Sequence, residues 1–467
     1  MIADLKPYAD YKDSGLPWLG QVPAHWRTVR NGSLFGQRSQ TGYAELPILE
    51  VSLKTGVQVR SFGNAGRKQI MSDVGKYKRA VKGDLAYNTM RMWQGALGVC
   101  PVDGLVSPAY VVARPYPGVE PQYFSALFRT GNYMGEIDSA SRGIVKDRNR
   151  LYWDQFKQMQ SPNPPLEEQA AIVRFLDWAN NRLERAIRAK RKVIALLLEQ
   201  RQAIVRRAVT KGIDPAALLE PSDIHWLGDI PKHWNVRKMK SLVRTFGGMT
   251  PNKSVERYWV GRTPWISPKD MKVPEIFDSK DHISDAALKE TGISVIADEA
   301  VLIVVRGMIL ARTFPTAITR VPVAINQDMK ALVPRSELSV DYFALLLMGI
   351  QRELLELVEI AGHGTCCLRT DSWSAFCLPI PPLKEQGAIR RFLADELAVS
   401  AAAISRLERE INLLREYRTC LVTDVVTGKL DIREAAARLP DEVGPGLETE
   451  ITEESDDPEF IDEETEA

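Results

Sequence analysis

The chain has 467 residues, of which 45% are hydrophobic and 26% charged, and these values are typical of a globular protein with about three folding units. No run of about 18 uncharged apolar residues is present, and the first residues lack the layout of a signal peptide, so no membrane segment is predicted. The five cysteines are too few and too scattered for a disulfide framework. A cytoplasmic location is therefore expected.

The net charge of +1 hides two unlike regions. Residues 440–467 contain 13 of the 60 acidic residues and no lysine or arginine, so residues 1–439 carry 61 basic and 47 acidic side chains. A basic body followed by an acidic tail is common among proteins that bind nucleic acid, although moderate positive charge also aids solubility. We predict that the tail is disordered, because it is acidic and poor in aromatic residues.

Two sequence blocks occur twice along the chain. Residues 18–26, WLGQVPAHW, return as WLGDIPKHW at residues 226–234, an offset of 208. Residues 165–176, PLEEQAAIVRFL, return as PLKEQGAIRRFL at residues 382–393, an offset of 217. Two matched blocks in the same order at a nearly constant offset predict a tandem duplication of about 210 residues.

Each copy is predicted to contain a globular part and a long helix. The first part, about 140 residues, mixes short β-rich runs with Gly, Pro and Asp clusters, which favours an α/β domain. The second part lacks proline after its PLxEQ start, where proline and acidic residues favour a helix N-terminus, and it ends at Gly212 or Gly428. The predicted fold class is thus α/β.

Apolar residues in the second long helix alternate spacings of three and four, which indicates a heptad seam with counterparts 217 residues earlier. Because helices of this length rarely stand alone, we predict that the two seams pair antiparallel as a coiled coil between the two α/β domains, in a pseudo-twofold tandem repeat. This would place the domains at opposite ends of a rod; the alternative is that each helix folds back on its own domain. The seam residues are Ile187, Lys190, Ile194, Leu197, Arg201, Ile204 and Ala208, and then Ile404, Leu407, Ile411, Leu414, Arg418, Leu421 and Val425.

Three local signatures follow this plan: the WLGx[IV]PxHW opening, the PLxEQxxI helix start, and GGMTP at residues 247–251 followed by YW at 258–259 and GRTPWISPKD at 261–270. Over residues of about 10–433 the chain resembles the specificity subunit of type I restriction–modification enzymes. Copy one departs from the third signature, since QRSQT at residues 37–41 and residues 46–54 stand in its place. The loops of copy one that would face DNA therefore cannot be carried over residue by residue.

The resemblance implies a DNA sequence-specificity subunit without catalytic residues. Each of two target-recognition domains would read one half of an asymmetric bipartite site in double-stranded DNA. The helices would set the spacer and bind two methyltransferase subunits, and restriction/translocase subunits would complete the complex. No cofactor or metal is expected in this chain; S-adenosylmethionine, ATP and Mg would be bound by the partner subunits.

The resemblance also divides the chain. The predicted organisation is an N-terminal segment (1–17), target-recognition domain 1 (18–164), a central long helix (165–212), a linker (213–225), target-recognition domain 2 (226–381), a C-terminal long helix (382–433) and the acidic tail (434–467).

Basic clusters in both copies are the candidates for phosphate and base contacts, although any single member could equally be a solvated surface charge. In copy one they are Arg67, Lys68, Lys76, Lys78, Arg79, Arg142, Lys146 and Arg148. In copy two they are Lys253, Arg262, Lys269, Arg306 and Arg312. The helix positions predicted to bind partner subunits are Leu166, Gln169, Phe175, Leu383, Gln386 and Phe392.

Catalytic alternatives find little support in the sequence. Residues 163–166, NPPL, are similar to the Asn-Pro-Pro-Tyr motif of adenine methyltransferases, but Leu166 replaces the aromatic residue that stacks on the flipped base. Asp278 and Lys280 could mimic part of a nuclease metal site, yet solvated loop charges explain them as well. No Gly-rich nucleotide loop follows a strand.

Histidines and cysteines are interpreted as structural. His363 lies near three cysteines whose spacing does not match that of a zinc site, and copy one has no counterpart. The repeated His25 and His233 are predicted to pack beside the neighbouring tryptophan rather than to act in catalysis. The functional alternatives left open are a DNA-recognition subunit of another multi-subunit modification system, a stand-alone DNA enzyme and a non-DNA scaffold.

Overall fold

The computed structural model describes residues 5–60, 74–143, 149–361 and 364–440. Contacts divide the chain into unit 1, which combines Met1–Ala189 with Glu410–Ala467, and unit 2, which is Lys190–Arg409. Each unit holds one globular copy together with part of each long helix. Unit 1 is discontinuous because the end of the second long helix belongs to the core of the first copy.

The helices are α1 (Pro121–Phe128), α2 (Gly131–Ala140), α3 (Trp153–Phe156), α4 (Leu166–Lys211), α5 (Met239–Leu242), α6 (Asp285–Thr291), α7 (Val340–Gly349), α8 (Gln351–Leu355), α9 (Thr370–Ser374), α10 (Leu383–Val426) and α11 (Arg433–Ala437). None of the helices in the described part of the chain is both long enough and apolar enough to cross a membrane.

The strands of unit 1 are β1 (Tyr11–Asp13), β2 (Gln21–Pro23), β3 (Arg27–Arg30), β4 (Phe35–Arg38), β5 (Leu49–Ser52), β6 (Gly56–Val59), β7 (Lys78–Ala80), β8 (Leu85–Asn88), β9 (Leu97–Val99), β10 (Gly104–Val106), β11 (Tyr110–Pro115) and β12 (Gln160–Asn163). Those of unit 2 are β13 (Leu219–Pro221), β14 (Asp229–Pro231), β15 (Asn235–Lys238), β16 (Val243–Gly247), β17 (Thr263–Ile266), β18 (Glu275–Ile276), β19 (Asp281–Ile283), β20 (Val301–Val304), β21 (Thr316–Thr319), β22 (Ala324–Ile325), β23 (Met329–Pro334), β24 (Val358–Ile360), β25 (Cys366–Leu368) and β26 (Cys377–Ile380).

The two long helices form where the sequence predicts them. Every residue of both predicted seams is buried or half-buried, while most residues between them are exposed. In unit 1, Phe175 near the start of α4 shares a core with Val425 near the end of α10. In unit 2, Val209 near the end of α4 shares a core with Ile389 near the start of α10. The prediction of antiparallel paired seams is therefore confirmed.

Each long helix ends against the opening turn of the other copy, where the opening turns are residues 18–26 and 226–234. Gly212 follows α4 with φ +75°, and Gly428 follows α10 with φ +78°, a backbone conformation that favours glycine. A Cβ atom at Gly428 would lie 2.5 Å from Pro23 Cδ, and one at Gly212 would lie 3.4 Å from the ring of Trp234. A side chain at Gly428 would thus collide with the opening turn of copy one.

The two globular copies share one topology. The main sheet of unit 1 has the order β4-β11-β8-β9, and that of unit 2 has the order β16-β23-β20-β21-β18. The strand that follows each opening turn pairs with the last strand of its copy, β3 with β12 and β15 with β26, so that the long helix leaves each domain beside the point where the chain enters it. The duplication in sequence is therefore a duplication of fold.

A second, smaller sheet distinguishes unit 2. Strand β17 pairs antiparallel with β19 and parallel with β22. The sheet packs with α6 around Trp265, Ile283 and Ala287. Among the described residues of unit 1, a single parallel bridge, Ile48 with Leu105, joins the residues before β5 to β10. The two copies therefore differ in the pairing of their smaller sheets, next to β10 in unit 1 and next to β22 in unit 2.

Several predicted boundaries need correction. Helix α10 ends at Val426 rather than at residue 433, and α11 follows it. Residues 434–439 are not part of a disordered tail, because Ala435, Ala436 and Leu439 are buried in the core of unit 1. The predicted disorder of residues 441–467 falls outside the described residues. The predicted linker 213–225 and N-terminal segment 1–17 instead contain β13 and β1, which pair with the opening turns.

Candidate nucleic-acid interface

A glutamate at the start of each long helix holds the opening turn of the same copy. Glu168 is buried and accepts hydrogen bonds from Tyr8 Oη at 2.6 Å and from Trp26 Nε1 at 3.0 Å, and its second oxygen lies 2.7 Å from His25 Nε2. Burial, together with the hydrogen bond to Glu168, raises the pKa of Tyr8 far above its ordinary value, so Tyr8 acts as a donor. This arrangement fixes the start of α4 against the globular copy.

Unit 2 repeats the arrangement with Glu385. Its carboxylate accepts a hydrogen bond from Trp234 Nε1 at 3.0 Å and lies 2.7 Å from His233 Nε2. The predicted packing of both repeated histidines beside the next tryptophan agrees with ring-centroid distances of 6.5 Å in the two copies. The contact of each histidine with a glutamate was not predicted. The repeated histidines therefore belong to a structural contact in both units.

The buried carboxylate predicts a large loss of stability on its removal. Glu168→Ala would leave the buried donors of Tyr8 and Trp26 without an acceptor, while the exposed ring of His25 can bind water. A buried donor without a partner costs about 1–3 kcal/mol, so we expect unit 1 to lose about 2–6 kcal/mol. Glu167→Ala, at the exposed neighbouring position, is the matched control and should change little. Urea unfolding of both variants measures the difference; equal stability of the two would contradict this role.

The glutamine that follows each glutamate is fully buried. Gln169 Oε1 accepts from the backbone N of Glu120 at 2.8 Å, while its Nε2 donates to Pro164 O at 2.8 Å. Gln386 makes the equivalent bonds, with Ser339 N at 2.8 Å and Pro381 O at 2.9 Å. Each side-chain amide thus joins its helix start to the globular copy.

The six helix positions predicted to bind partners therefore divide into two groups. Gln169, Phe175 and Gln386 lie inside the chain with no exposed surface, so their assignment to a partner surface is corrected. The other three side chains are exposed by 38–53%, and for them partner contact stays a prediction: Leu166, Leu383 and Phe392.

The basic candidates of copy one are mostly engaged within unit 1 or lie outside the described residues. Lys78 Nζ donates to Tyr110 O at 2.6 Å, and burial lowers the pKa of Lys78. Arg79 lies 3.2 Å from Asp103 and covers the ring of Tyr43 at 4.7 Å. Both cations are structural contacts of unit 1.

Two of the remaining candidates of copy one lie within the described residues. Lys76 is exposed at the end of a 3-10 helix, and the backbone of Arg142 pairs with that of Arg150. The other four candidates, Arg67, Lys68, Lys146 and Arg148, fall outside the described residues.

The side chains of the basic candidates of copy two, unlike those of Lys78 and Arg79 of copy one, are not engaged by other groups among the described residues of their unit. All five are exposed, and within the described part of the chain none has a carboxylate partner: Lys253, Arg262, Lys269, Arg306 and Arg312. Other arginines of unit 2 are paired, as Arg244 is with Asp298 and Arg257 with Glu290, both at 2.7 Å. The five candidates thus leave positive charge available for phosphates.

Polar residues meet at one edge of the small sheet of unit 2. Because β17 and β22 are parallel, the segments that follow them, residues 267–270 and 326–328, lie side by side. Asp281, at the start of the antiparallel strand β19, reaches the same edge, and Met249 N donates to Ile325 O at 2.9 Å. We call these segments, with Asp281 and residues 249–253, the polar edge of unit 2. They border a cavity of about 630 Å³.

The polar edge combines charged, amide and aromatic side chains. Lys253, Lys269 and Gln327 border the cavity together with Trp259 and Trp265. The two indoles meet edge to face, with ring centroids 5.1 Å apart. Lysines suit phosphates, amides suit base edges and indoles suit apolar base faces. The edge therefore has the side-chain chemistry of a nucleic-acid contact surface.

Part of this edge was predictable from the sequence, and part of it was not. Residues 247–270, with Lys253 and Lys269, were identified, but residues 326–328 were not. The available signal was the polar triplet Asn-Gln-Asp directly after the apolar run that forms β22. Only the parallel pairing of β22 with β17, a contact across about 60 residues, shows that the triplet joins the other two segments.

The catalytic alternatives gain no support from geometry. Asn163 lies in β12 and accepts a hydrogen bond from Gln169, which is a structural contact. Asp278 lies in an exposed loop and pairs with His282 at 2.7 Å. Within the described residues, no group of three or more His, Cys, Asp or Glu side chains is placed to hold a metal ion.

The cysteines are free thiols, and His363, which the zinc hypothesis also used, is outside the described residues. Burial raises the pKa of Cys100 to about 12, so its thiol is a poor nucleophile. Cys366 is buried, and Cys367 and Cys377 are half-buried. These thiols are packing groups of their units.

Part of the chain matches a known protein family. Residues 231–412 match the family described as the type I restriction modification DNA specificity domain. The EcoR124I/EcoR124II specificity subunit of Escherichia coli is 28% identical over 279 residues, which are 57% of this chain and 63% of that protein. The match thus spans less than two thirds of that relative.

A second relative and a solved structure extend over nearly the whole chain. The MjaX specificity subunit of Methanocaldococcus jannaschii is 22% identical over 438 residues, 89% of this chain and 96% of that protein. A solved chain of a type I R-M system, 18% identical, covers 88% of this chain and 99% of its own length with a TM-score of 0.65, which shows a common fold. The chain, with its duplicated domains and paired helices, is similar over most of its length to specificity subunits of type I restriction–modification enzymes.

Proposed function

We propose that each unit reads one half of an asymmetric bipartite DNA sequence, and that the two long helices set the spacer between the halves. The observation that carries the proposal is one fold in two copies with unlike side chains at corresponding edges. Residues 326–328, Asn-Gln-Asp, follow β22, whereas residues 107–109, Ser-Pro-Ala, follow β10. The side chains that contact base edges determine which DNA sequence is recognised. Different side chains at the corresponding sheet edges of two similar domains therefore support recognition of two different half-sites.

The exposed positions at the helix starts support two copies of one partner. Leu166 and Leu383 occupy equivalent positions in the repeat, and both are about half exposed. A repeated surface on a pseudo-twofold chain suits two identical partner subunits, because each copy of the surface offers the same contacts. We infer that these partners are methyltransferase subunits and that restriction/translocase subunits join them.

This division of labour leaves the chain without chemistry of its own. S-adenosylmethionine, ATP and Mg would be bound by the partner subunits, which would carry out methylation, translocation and cleavage. The chain would supply the choice of sequence. A DNA-recognition subunit of another multi-subunit modification system would share this role, and it would differ in the chemistry of the partners.

Reconstitution tests the proposal. The purified chain alone should neither cut nor methylate DNA, whereas the chain with its methyltransferase partner should methylate one asymmetric bipartite motif. Single-molecule sequencing of DNA from cells that express both proteins gives the motif. Methyl transfer by the chain alone would show a stand-alone enzyme, and absence of salt-dependent DNA binding by the complex would show a scaffold.

A further inference from the structure

The amide of Gln327 is exposed at the polar edge, and its orientation is fixed by two neighbours. Thr250 Oγ1 donates a hydrogen bond to Gln327 Oε1, and Gln327 Nε2 donates to Asp328 Oδ2 at 3.4 Å. A carboxylate can only accept, so the nitrogen end of the amide must face Asp328. One lone pair on the oxygen and one N–H on the nitrogen stay available to a ligand.

The turn that carries Gln327 is held by backbone hydrogen bonds on both sides. Asn326 N donates to Ile266 O in β17 at 2.9 Å, and Val305 N donates to Asp328 O at 2.8 Å. Asp328 N also donates to the side chain of Asn326 at 3.0 Å. A side chain on such a turn loses little backbone freedom on binding, which favours specific recognition.

We propose that Gln327 is a specificity-determining residue of the half-site that unit 2 reads, and that it recognises an adenine in the major groove. This inference rests on the proposed function. A glutamine amide can accept a hydrogen bond from adenine N6 and donate one to N7, and no other base offers that pair of groups in the major groove. The two free positions on the Gln327 amide are one acceptor and one donor, as this contact requires.

The charges around the cavity fit this assignment. Lys253 and Lys269 border the same cavity and are suited to the phosphates that flank the base. Asp281 also borders the cavity, and a carboxylate repels phosphates but accepts a hydrogen bond from a base amino group. The acidic and amide groups of the polar edge therefore suit base edges, and the two lysines suit contacts to the DNA backbone.

The corresponding edge of unit 1 lacks this amide. Residues 107–109, Ser-Pro-Ala, follow β10 as residues 326–328 follow β22. A serine hydroxyl hydrogen-bonds to several bases and does not select adenine by a paired contact. Recognition of adenine through this turn is thus expected in the half-site of unit 2 alone.

The experiment uses the full chain with its methyltransferase partner and compares four substitutions. Gln327→Ala should reduce discrimination at one adenine of the unit 2 half-site by about 5- to 150-fold, the effect of one bidentate contact. Gln327→Glu should favour cytosine at that position, because a carboxylate accepts from cytosine N4. Thr250→Val should weaken the same discrimination, and Thr250→Ser should retain it, because serine keeps the hydroxyl that positions Gln327.

Substitutions of the two lysines at the polar edge distinguish an effect on sequence recognition from an effect on overall DNA affinity. Lys253→Ala and Lys269→Ala should weaken binding to all DNA sequences alike. The slope of log K against log salt concentration should become shallower by about 0.9 for each phosphate contact that is lost. Lys232→Ala, at an exposed site in the opening turn of unit 2, is the matched control and should change neither quantity. Gln158→Ala, an exposed glutamine of unit 1, should leave the motif unchanged.

The readouts are the methylated motif in cells and the dissociation constants for duplexes that vary each position of the half-site. Exchange of residues 226–381 for those of a relative identifies which half-site unit 2 reads. If Gln327→Ala and Gln327→Glu leave the motif unchanged, or weaken binding equally at every sequence, the inference is wrong. If the unaltered complex methylates no specific motif, the proposed function fails instead.

Discussion

Removal of residues 421–467 is expected to unfold unit 1, although the globular part of that unit lies at the other end of the sequence. The deleted segment supplies the buried side chains of Leu421, Val425, Val426, Ile432 and Leu439 to the core of unit 1. Buried aliphatic side chains contribute about 1.5–3 kcal/mol each, so the loss is of order 10 kcal/mol. This is comparable to the whole stability of a typical domain, about 5–15 kcal/mol.

Hydrogen bonds add to this loss. Tyr123 Oη donates to Val426 O at 2.9 Å in the buried core, Tyr11 Oη donates to Lys429 O, and Arg174 donates to Ala436 O. Deletion would leave the Tyr123 hydroxyl buried without its acceptor, and an unsatisfied buried polar group costs about 1–3 kcal/mol. The same deletion removes no residue from the main core of unit 2.

Limited proteolysis and hydrogen exchange measure the effect in each unit. Residues 5–189 should become sensitive to protease and exchange rapidly, while unit 2 keeps its protection. The matched control removes only residues 441–467, beyond the last residue of the core, and should leave both units and the methylated motif unchanged. A truncated chain with a protected unit 1 would show that the end of α10 is not needed for its fold.

The sequence was sufficient to predict features that repeat or have a period. The duplication, the two long helices, their seams and Gly212 and Gly428 at their ends all depend on local patterns of residue type. Periodicity reports which face of a helix is buried without any knowledge of what covers it. These predictions agree with the structure for that reason.

Features that depend on contacts between distant segments were not predictable in the same way. Gln169 and Gln386 were assigned to a partner surface because the resemblance implies that the two long helices bind partner subunits. Their burial depends on acceptors and donors from segments before the helix and from the middle of the globular copy, such as Glu120 and Ser339. Sequence patterns carry no signal for a side-chain amide that is satisfied in this way.

The polar edge shows the same limit at the candidate site. Lys253 and Lys269 were identified from charge alone, whereas Gln327 needed the parallel pairing of β17 and β22. The charge of a residue type also does not show whether a basic side chain is free to bind DNA or is engaged within its own unit. Lys78 and Arg79 looked as favourable as Lys253, yet both contact groups of unit 1. Whether a basic side chain has a carboxylate partner depends on contacts that form only in the folded chain.

Matched insertions into both long helices are expected to lengthen the spacer of the recognised motif. Helix α4 is continuous over 46 residues, and its first part belongs to unit 1 and its last part to unit 2; α10 runs in the opposite sense over 44 residues. Four residues added after Glu199 extend α4 by about 6 Å at 1.5 Å per residue. Four residues added after Ala402 would extend α10 equally, so that neither helix has to buckle.

With base pairs about 3.4 Å apart, this extension should increase the spacer by one to two base pairs. Neither half-site should change, because no residue near the insertions is proposed to contact a base. Four residues also rotate the helix by about 40° beyond one turn and shift the heptad seam, so some affinity should be lost. Insertion of seven residues keeps the seam in register and should add about three base pairs at a smaller loss of affinity.

The methylated motif of cells that carry each pair of insertions gives the spacer directly. Insertion into α4 alone is the informative control, because α10 then keeps its original length. It should lower stability and methylation without a clean change in spacing, because the seam residues of α4 beyond the insertion would no longer match those of α10. An unchanged spacer at full activity in the paired insertions would mean that the helices do not set the distance between half-sites. A spacer that lengthens more with seven inserted residues than with four would show that helix length sets the number of base pairs between the half-sites.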